Sequence, residues 1–125
     1  LKMVAGGTIA VWGLSFKPNT DDTRDSPSLK IIDSLSRQGF EQIRVHDPVA
    51  KYEGEGKNIL QLPDAYETAR GADALVICTE WPIYRNPDLE KLASLMGRKV
   101  IFDGRNCLDP AHVLGNGFEY HGIGR

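Results

Sequence analysis

Residues 9–27 read Ile9-Ala10-Val11-Trp12-Gly13-Leu14-Ser15-Phe16-Lys17-Pro18-Asn19-Thr20-Asp21-Asp22-Thr23-Arg24-Asp25-Ser26-Pro27. The stretch opens on a continuous apolar run, Ile9 to Trp12, that closes on Gly13, the pattern of a strand covered on both faces. It ends on Ser26, suited to capping free backbone N–H groups, and on Pro27, suited to the first helical position, where a missing donor costs nothing. Between strand and helix lies a polar loop carrying Phe16, Lys17 and Arg24. In open α/β sheets ligands bind beyond the carboxyl ends of strands, so these three side chains stand where a phosphate-bearing ligand is met. Lysine and arginine on a solvated connection also need no ligand. The loop is, however, longer than the two to six residues typical of such turns, which favours a shaped, functional loop.

Working outward, the chain keeps alternating. Pro27 to Gln38 places Ile31, Ile32 and Leu35 on one side and stops at Gly39, a helix with a glycine stop. Ile43 to His46 follows as a strand ended by Asp47-Pro48, read as a turn. Val49 to Lys57 is polar and reads as a surface loop, and Asn58 to Leu62 as a short edge strand. Pro63-Asp64-Ala65 opens a short helix closed near Gly71, and Ala74 to Cys78 is a second buried strand that runs into Thr79-Glu80-Trp81-Pro82. Leu89, Leu92, Ala93 and Met96 have helical spacing, with Gly97 as the stop. Val100 to Phe102 is a further strand entering Asp103-Gly104-Arg105-Asn106, and Phe118 to His121 a last one. Repeated βαβ units predict an α/β, Rossmann-like, three-layer α/β/α fold with a mostly parallel sheet of five to six strands. Polar clusters around Lys17, Trp81 and Arg105 then share one edge, where Arg105 as a fork and Lys17 as a point charge can meet one diphosphate.

Bulk properties narrow the function. The 125 residues, 41% hydrophobic, suit a single domain over 1–125. A net charge of −2 with no dense basic block excludes the footprint of a nucleic-acid binder. There is neither a run long enough to span a bilayer nor a secretory leader, and the expectation is a cytoplasmic protein. Cys78 and Cys107 belong to no CxxC or Cys/His pattern; Cys78 reads as a small buried hydrophobe. His46, His112 and His121 are scattered without metal-ligand spacing and read as structural, so no metal is expected. Asp21 and Asp22 lie too far beyond the strand to form a response-regulator-like Mg²⁺ pair. The GxGxxG dinucleotide fingerprint is missing, because only Gly13 follows the first strand, and a Walker A sequence is missing too.

Four segments, GLSFKPNTDDTRDSP, VHDP, ALVICTEW and VIFDGRN, resemble, in this order, the C-terminal domain of the UDP-glucose/GDP-mannose dehydrogenase family. The resemblance extends from Thr8 to Gly124, and the KPNT and TEW segments favour the UDP-glucose members over those acting on GDP-mannose or UDP-N-acetylmannosamine. It implies a domain that holds the diphosphate of a UDP-sugar, with most of the NAD cofactor bound by another domain. By resemblance Phe16, Lys17 and Arg105 contact the UDP-sugar and Arg24 reaches NAD. The family oxidises its sugar alcohol twice through a cysteine in a GGSCF-like segment, which has no counterpart here, so no catalytic residue is expected in this chain. The resemblance further implies upstream NAD-binding and dimerisation domains, a homo-oligomeric full-length enzyme, and residues 1–7 as the remnant of an upstream segment. A non-catalytic, regulatory nucleotide-binding module and a purely structural domain remain the alternatives.

Overall fold

The computed structural model describes residues 7–14, 27–52 and 58–122, with the side chain of Pro27 excluded. Six strands lie in the order β3-β2-β1-β4-β5-β6, and every pairing is parallel. They are β1 (Thr8–Trp12), β2 (Gln42–His46), β3 (Ile59–Gln61), β4 (Ala74–Ile77), β5 (Val100–Asp103) and β6 (Glu119–Gly122). The helices are α1 (Pro27–Ser36), α2 (Ala65–Ala69), α3 (Pro82–Arg85), α4 (Leu89–Leu95) and α5 (Pro110–Gly115). The expected mostly parallel sheet is thus parallel throughout, with the edge strand β3 where the sequence placed it.

The apolar runs are explained by what covers them. Along β1, Ile9 and Val11 face the side of α1, while Ala10 and Trp12 face the side of α2 to α5. In β4, Ala74 and Val76 divide in the same way from Leu75 and Ile77. Both central strands therefore sit between two apolar layers, and all four β4 residues are buried. Burying a side chain the size of Leu75 or Ile77 contributes roughly 1.5–3 kcal/mol, so these two strands anchor the domain. Edge strand β6 alternates exposed and half-buried positions instead.

Helix boundaries follow from capping. Asp64 accepts from the Tyr66 and Glu67 N–H groups ahead of α2, Asp88 from Lys91 ahead of α4, and Asp109 from Ala111 ahead of α5. Two helices, α3 and α5, are additions to the sequence reading; both begin with proline, as α1 does. The helix expected to reach Gln38 ends at Ser36, and Gly39, with φ +87°, follows as a left-handed stop. No helix among the described residues is long and apolar enough to cross a membrane.

Candidate functional site

Strand order makes β1, β4 and β5 consecutive neighbours, so all three strands end at the same carboxyl edge. The chain reverses its direction of progress across the sheet between β1 and β4, the position where open α/β sheets leave a crevice. The loops close tightly there. Gly13 has φ +105°, and a Cβ at that residue would lie 2.4 Å from Thr79 Oγ1, so only glycine lets the loop after β1 pass the end of β4. On the other side of β4, a Cβ on Gly104 would come 2.9 Å from the Ile77 carbonyl oxygen. The Gly13 N–H donates to His46 O at 2.7 Å, the Cys78 N–H to Trp12 O at 2.9 Å and the Gly104 N–H to Ile77 O at 2.9 Å, extending the ladder past the strands.

Contacts of its backbone and of its side chain place Arg105. Its backbone N–H donates to Asp103 Oδ1 at 3.1 Å, and its Nε–H donates to the Cys78 carbonyl at 2.9 Å. The second bond carries the guanidinium across to the end of β4 and fixes the plane of the fork. Asp103, 1% exposed, also accepts from the Leu108 N–H and the Tyr120 hydroxyl, each at 2.9 Å, and so folds the loop after β5 around itself. Asn106 in this loop adopts φ +52°, a left-handed position that asparagine tolerates.

A second buried carboxylate organises the other side of the edge. Asp47 Oδ1 accepts from the Val49 and Ala50 N–H groups at 2.9 and 2.8 Å, closing the turn that the Asp-Pro sequence predicts. Its Oδ2 accepts from the Leu14 N–H at 2.9 Å and from the Trp81 indole N–H at 3.3 Å. Beside it, His46 Nδ1 lies 2.7 Å from the Tyr84 hydroxyl, which donates to His46 O at 3.1 Å. Burial lowers the His46 pKa below 6.5, against the opposing pull of Asp47, the Pro63 carbonyl and Asp64. Burial likewise pushes up the Tyr84 phenol, helped by Asp47 and Cys78.

Of the residues selected from the sequence, Arg105 stands at this edge, and Phe16, Lys17 and Arg24 lie outside the described residues. Trp81 is buried and turned inward to Asp47. Sequence reasoning missed the reach of Asp47 and Asp103: each follows or ends a strand, but its distant partners carry no local signature. His121 is stacked on Phe102 at 4.8 Å between centroids. Both cysteines are free thiols. Burial pushes Cys78 up to about 11, opposed by the Ser28 hydroxyl and Arg105. Burial, the Asp103 charge and a hydrogen bond to Asp103 push Cys107 up to about 12. Both shifts disfavour the thiolate form. No group of three or more potential ligands suited to a metal occurs among the described residues.

Residues 10–110 match the UDP-binding domain of the UDP-glucose/GDP-mannose dehydrogenase family. The chain is 45% identical over 128 residues to UDP-glucose 6-dehydrogenase of Pseudomonas aeruginosa, covering 96% of this chain and 28% of that protein. Among solved structures it resembles NDP-N-acetyl-D-galactosaminuronic acid dehydrogenase of Methanosarcina mazei, with a TM-score of 0.86, 32% identity and coverage of 97% and 25% of the two chains. UDP-D-ManNAc dehydrogenase of Pyrococcus horikoshii gives a TM-score of 0.79 at 35% identity, with 97% and 26% covered. The chain thus spans about a quarter of the length of these relatives.

Proposed function

The chain belongs to the UDP-glucose/GDP-mannose dehydrogenase family through its UDP-binding domain, and from this premise we propose that it holds the diphosphate of a UDP-sugar across the carboxyl ends of β1, β4 and β5. The observation that carries the reading is the placement of Arg105, whose Nε–H is committed to the Cys78 carbonyl so that the fork is oriented in advance. A preset guanidinium loses less side-chain freedom on meeting a phosphate. In this reading Phe16 and Lys17 complete the UDP-sugar contacts and Arg24 reaches toward NAD.

UDP-glucose is the proposed substrate, oxidised in two NAD-dependent steps to UDP-glucuronate by the enzyme to which this domain contributes, in the cytoplasm and as a homo-oligomer. The oxidation itself is assigned to NAD-binding and catalytic domains outside the chain, and the raised pKa of Cys78 and Cys107 supports that assignment. A second reading, a UDP-N-acetylamino sugar, is favoured by the activities for which the two structural relatives are named. Calorimetric titration with UDP tests the site. Wild type is expected to bind, and Lys17→Ala and Arg105→Ala each to weaken binding by about 1.5–3 kcal/mol, the worth of a charge-assisted contact. Identical isotherms for all three proteins would remove these residues from the site. No NADH is expected from this chain with UDP-glucose and NAD, and absorbance growth at 340 nm, roughly the nicotinamide band, would overturn that part.

A further inference from the structure

His46, the last residue of β2, is 5% exposed, and its ring meets neighbours that packing holds in place. Its Nδ1 lies 2.7 Å from the Tyr84 hydroxyl. With Nδ1 engaged there, Nε2 is the nitrogen left for the Pro63 carbonyl, which hydrogen-bonds the ring. Tyr84 is the buried side chain of α3, and its ring stacks on Trp12 with centroids 4.9 Å apart. The Tyr84 hydroxyl also lies 3.1 Å from the His46 carbonyl oxygen, which accepts the Gly13 N–H at 2.7 Å. Burial, Asp47 and Cys78 keep the phenol protonated. One hydroxyl proton therefore has two acceptors within reach, the imidazole Nδ1 and the His46 carbonyl.

Counting protons against acceptors separates the two charge states of the ring. The imidazolium suits every one of these neighbours: Nδ1–H donates to the Tyr84 oxygen, Nε2–H to the Pro63 carbonyl, and the Tyr84 O–H to the His46 carbonyl. The neutral ring has one proton fewer and must choose. A proton kept on Nδ1 would set a bare Nε2 lone pair against the Pro63 oxygen. The neutral ring therefore keeps Nε2–H, and the tyrosine hydroxyl turns to Nδ1. The His46 carbonyl then loses the hydroxyl and retains Gly13.

We infer that His46 and Tyr84 form a proton-operated hydrogen-bond switch: a proton taken up at Nδ1 turns the Tyr84 hydroxyl from the imidazole to the His46 carbonyl, where it competes with the Gly13 N–H at the end of β1. One proton enters from solvent, and no bond between heavy atoms changes. The charges around the ring set the range in which it acts. Asp47, beyond β2, and Asp64, ahead of α2, favour the imidazolium, but burial opposes them and prevails. From α3 the titratable neighbour is Tyr84 itself, and β1 presents the uncharged Trp12 in register with His46. The neutral arrangement is thus the resting one at neutral pH, and the switch operates on acidification, below 6.5.

Heteronuclear NMR of the imidazole nitrogens, together with the scalar coupling across the Gly13 N–H to His46 carbonyl bond, followed through an acid titration, tests the switch. In wild type at neutral pH, Nε2 is expected to carry the proton and Nδ1 to be bare. As pH falls, Nδ1 should gain its proton with a midpoint below 6.5, and the Gly13 coupling should weaken with that same midpoint. Tyr84→Phe keeps the stacked ring and removes the hydroxyl. Its His46 midpoint should move down, because the imidazolium loses a charge-assisted bond and the neutral ring only an ordinary one. Its Gly13 coupling should no longer follow the midpoint. A protonated Nδ1 in wild type at neutral pH overturns the resting arrangement and the switch with it. A Gly13 coupling that stays constant through the wild-type titration, or that follows the midpoint equally in Tyr84→Phe, overturns the part given to the hydroxyl. Unfolding of wild type before Nδ1 is protonated overturns the switch as well, since no folded imidazolium then exists.

Discussion

Two buried aspartates stand at the carboxyl edge, and they differ in how far they reach. Asp103 gathers Arg105, Leu108 and Tyr120, none more than 17 residues away. Asp47 closes its own turn and then reaches 33 residues back to Leu14 and 34 forward to Trp81. The loop holding Arg105 is therefore folded around its own carboxylate, whereas Leu14, just past β1, is held by a carboxylate that follows another strand. One half of the edge is built locally and the other is built by the assembled sheet. The short segment Asp103-Gly104-Arg105 places the Arg105 backbone, and the Cys78 carbonyl at the end of β4 then aims the guanidinium.

The most disruptive way to break the contrast is Asp103→Ala, which leaves the Arg105, Leu108 and Tyr120 donors without their acceptor in a buried setting. A loss of about 3–4 kcal/mol is expected from the uncompensated desolvation of these groups, measured by urea denaturation. A loss under 1 kcal/mol, about the worth of one ordinary hydrogen bond, would show that the loop does not depend on this carboxylate. Tyr120→Phe is the milder probe, since it removes only the bond from β6 to Asp103. About 1 kcal/mol of stability should go in the same denaturation. A loss as large as that of Asp103→Ala would mean that β6, rather than the loop's own donors, holds this carboxylate.

The smallest effect distinguishes the surroundings of the two aspartates. His46 adjoins Asp47 and has its pKa lowered by burial below 6.5, so between the folded pKa and 6.5 the unfolded chain binds more protons than the native one. Stability should therefore be fully present above pH 6.5 and decline as pH falls toward the folded value, the sign required when the unfolded state takes up the proton. Thermal melts of wild type and His46→Gln at stepped pH check this. The variant should lose the slope in that window, and equal slopes would place its origin elsewhere.

Much of the fold was legible. Ile9 to Trp12 and Ala74 to Ile77 announced buried strands because parallel strands covered on both faces need apolar residues at every position. The caps and glycine stops marked α1, α2 and α4. Helix α5 carried a readable start in Asp109-Pro110, but with six residues it offers too little periodicity to stand out. Helix α3, four residues long, offers less. The DGRN segment marked the loop after β5, where the structure places Arg105. Asp47 was legible as a turn residue through Asp-Pro, and that half of its role holds.

Sequence alone determined the alternation of strands and helices and the sheet edge at which β1, β4 and β5 end, because each depends on local pattern and on the direction of parallel strands. Only the tertiary structure decided that Leu14, Asp47 and Trp81 meet at one carboxylate oxygen, that Gly13 must pass Thr79, and that Cys78 supplies the carbonyl that aims Arg105. Those contacts join residues distant along the chain, and a buried polar group finds its partner through the geometry of the assembled sheet rather than through any spacing in the sequence.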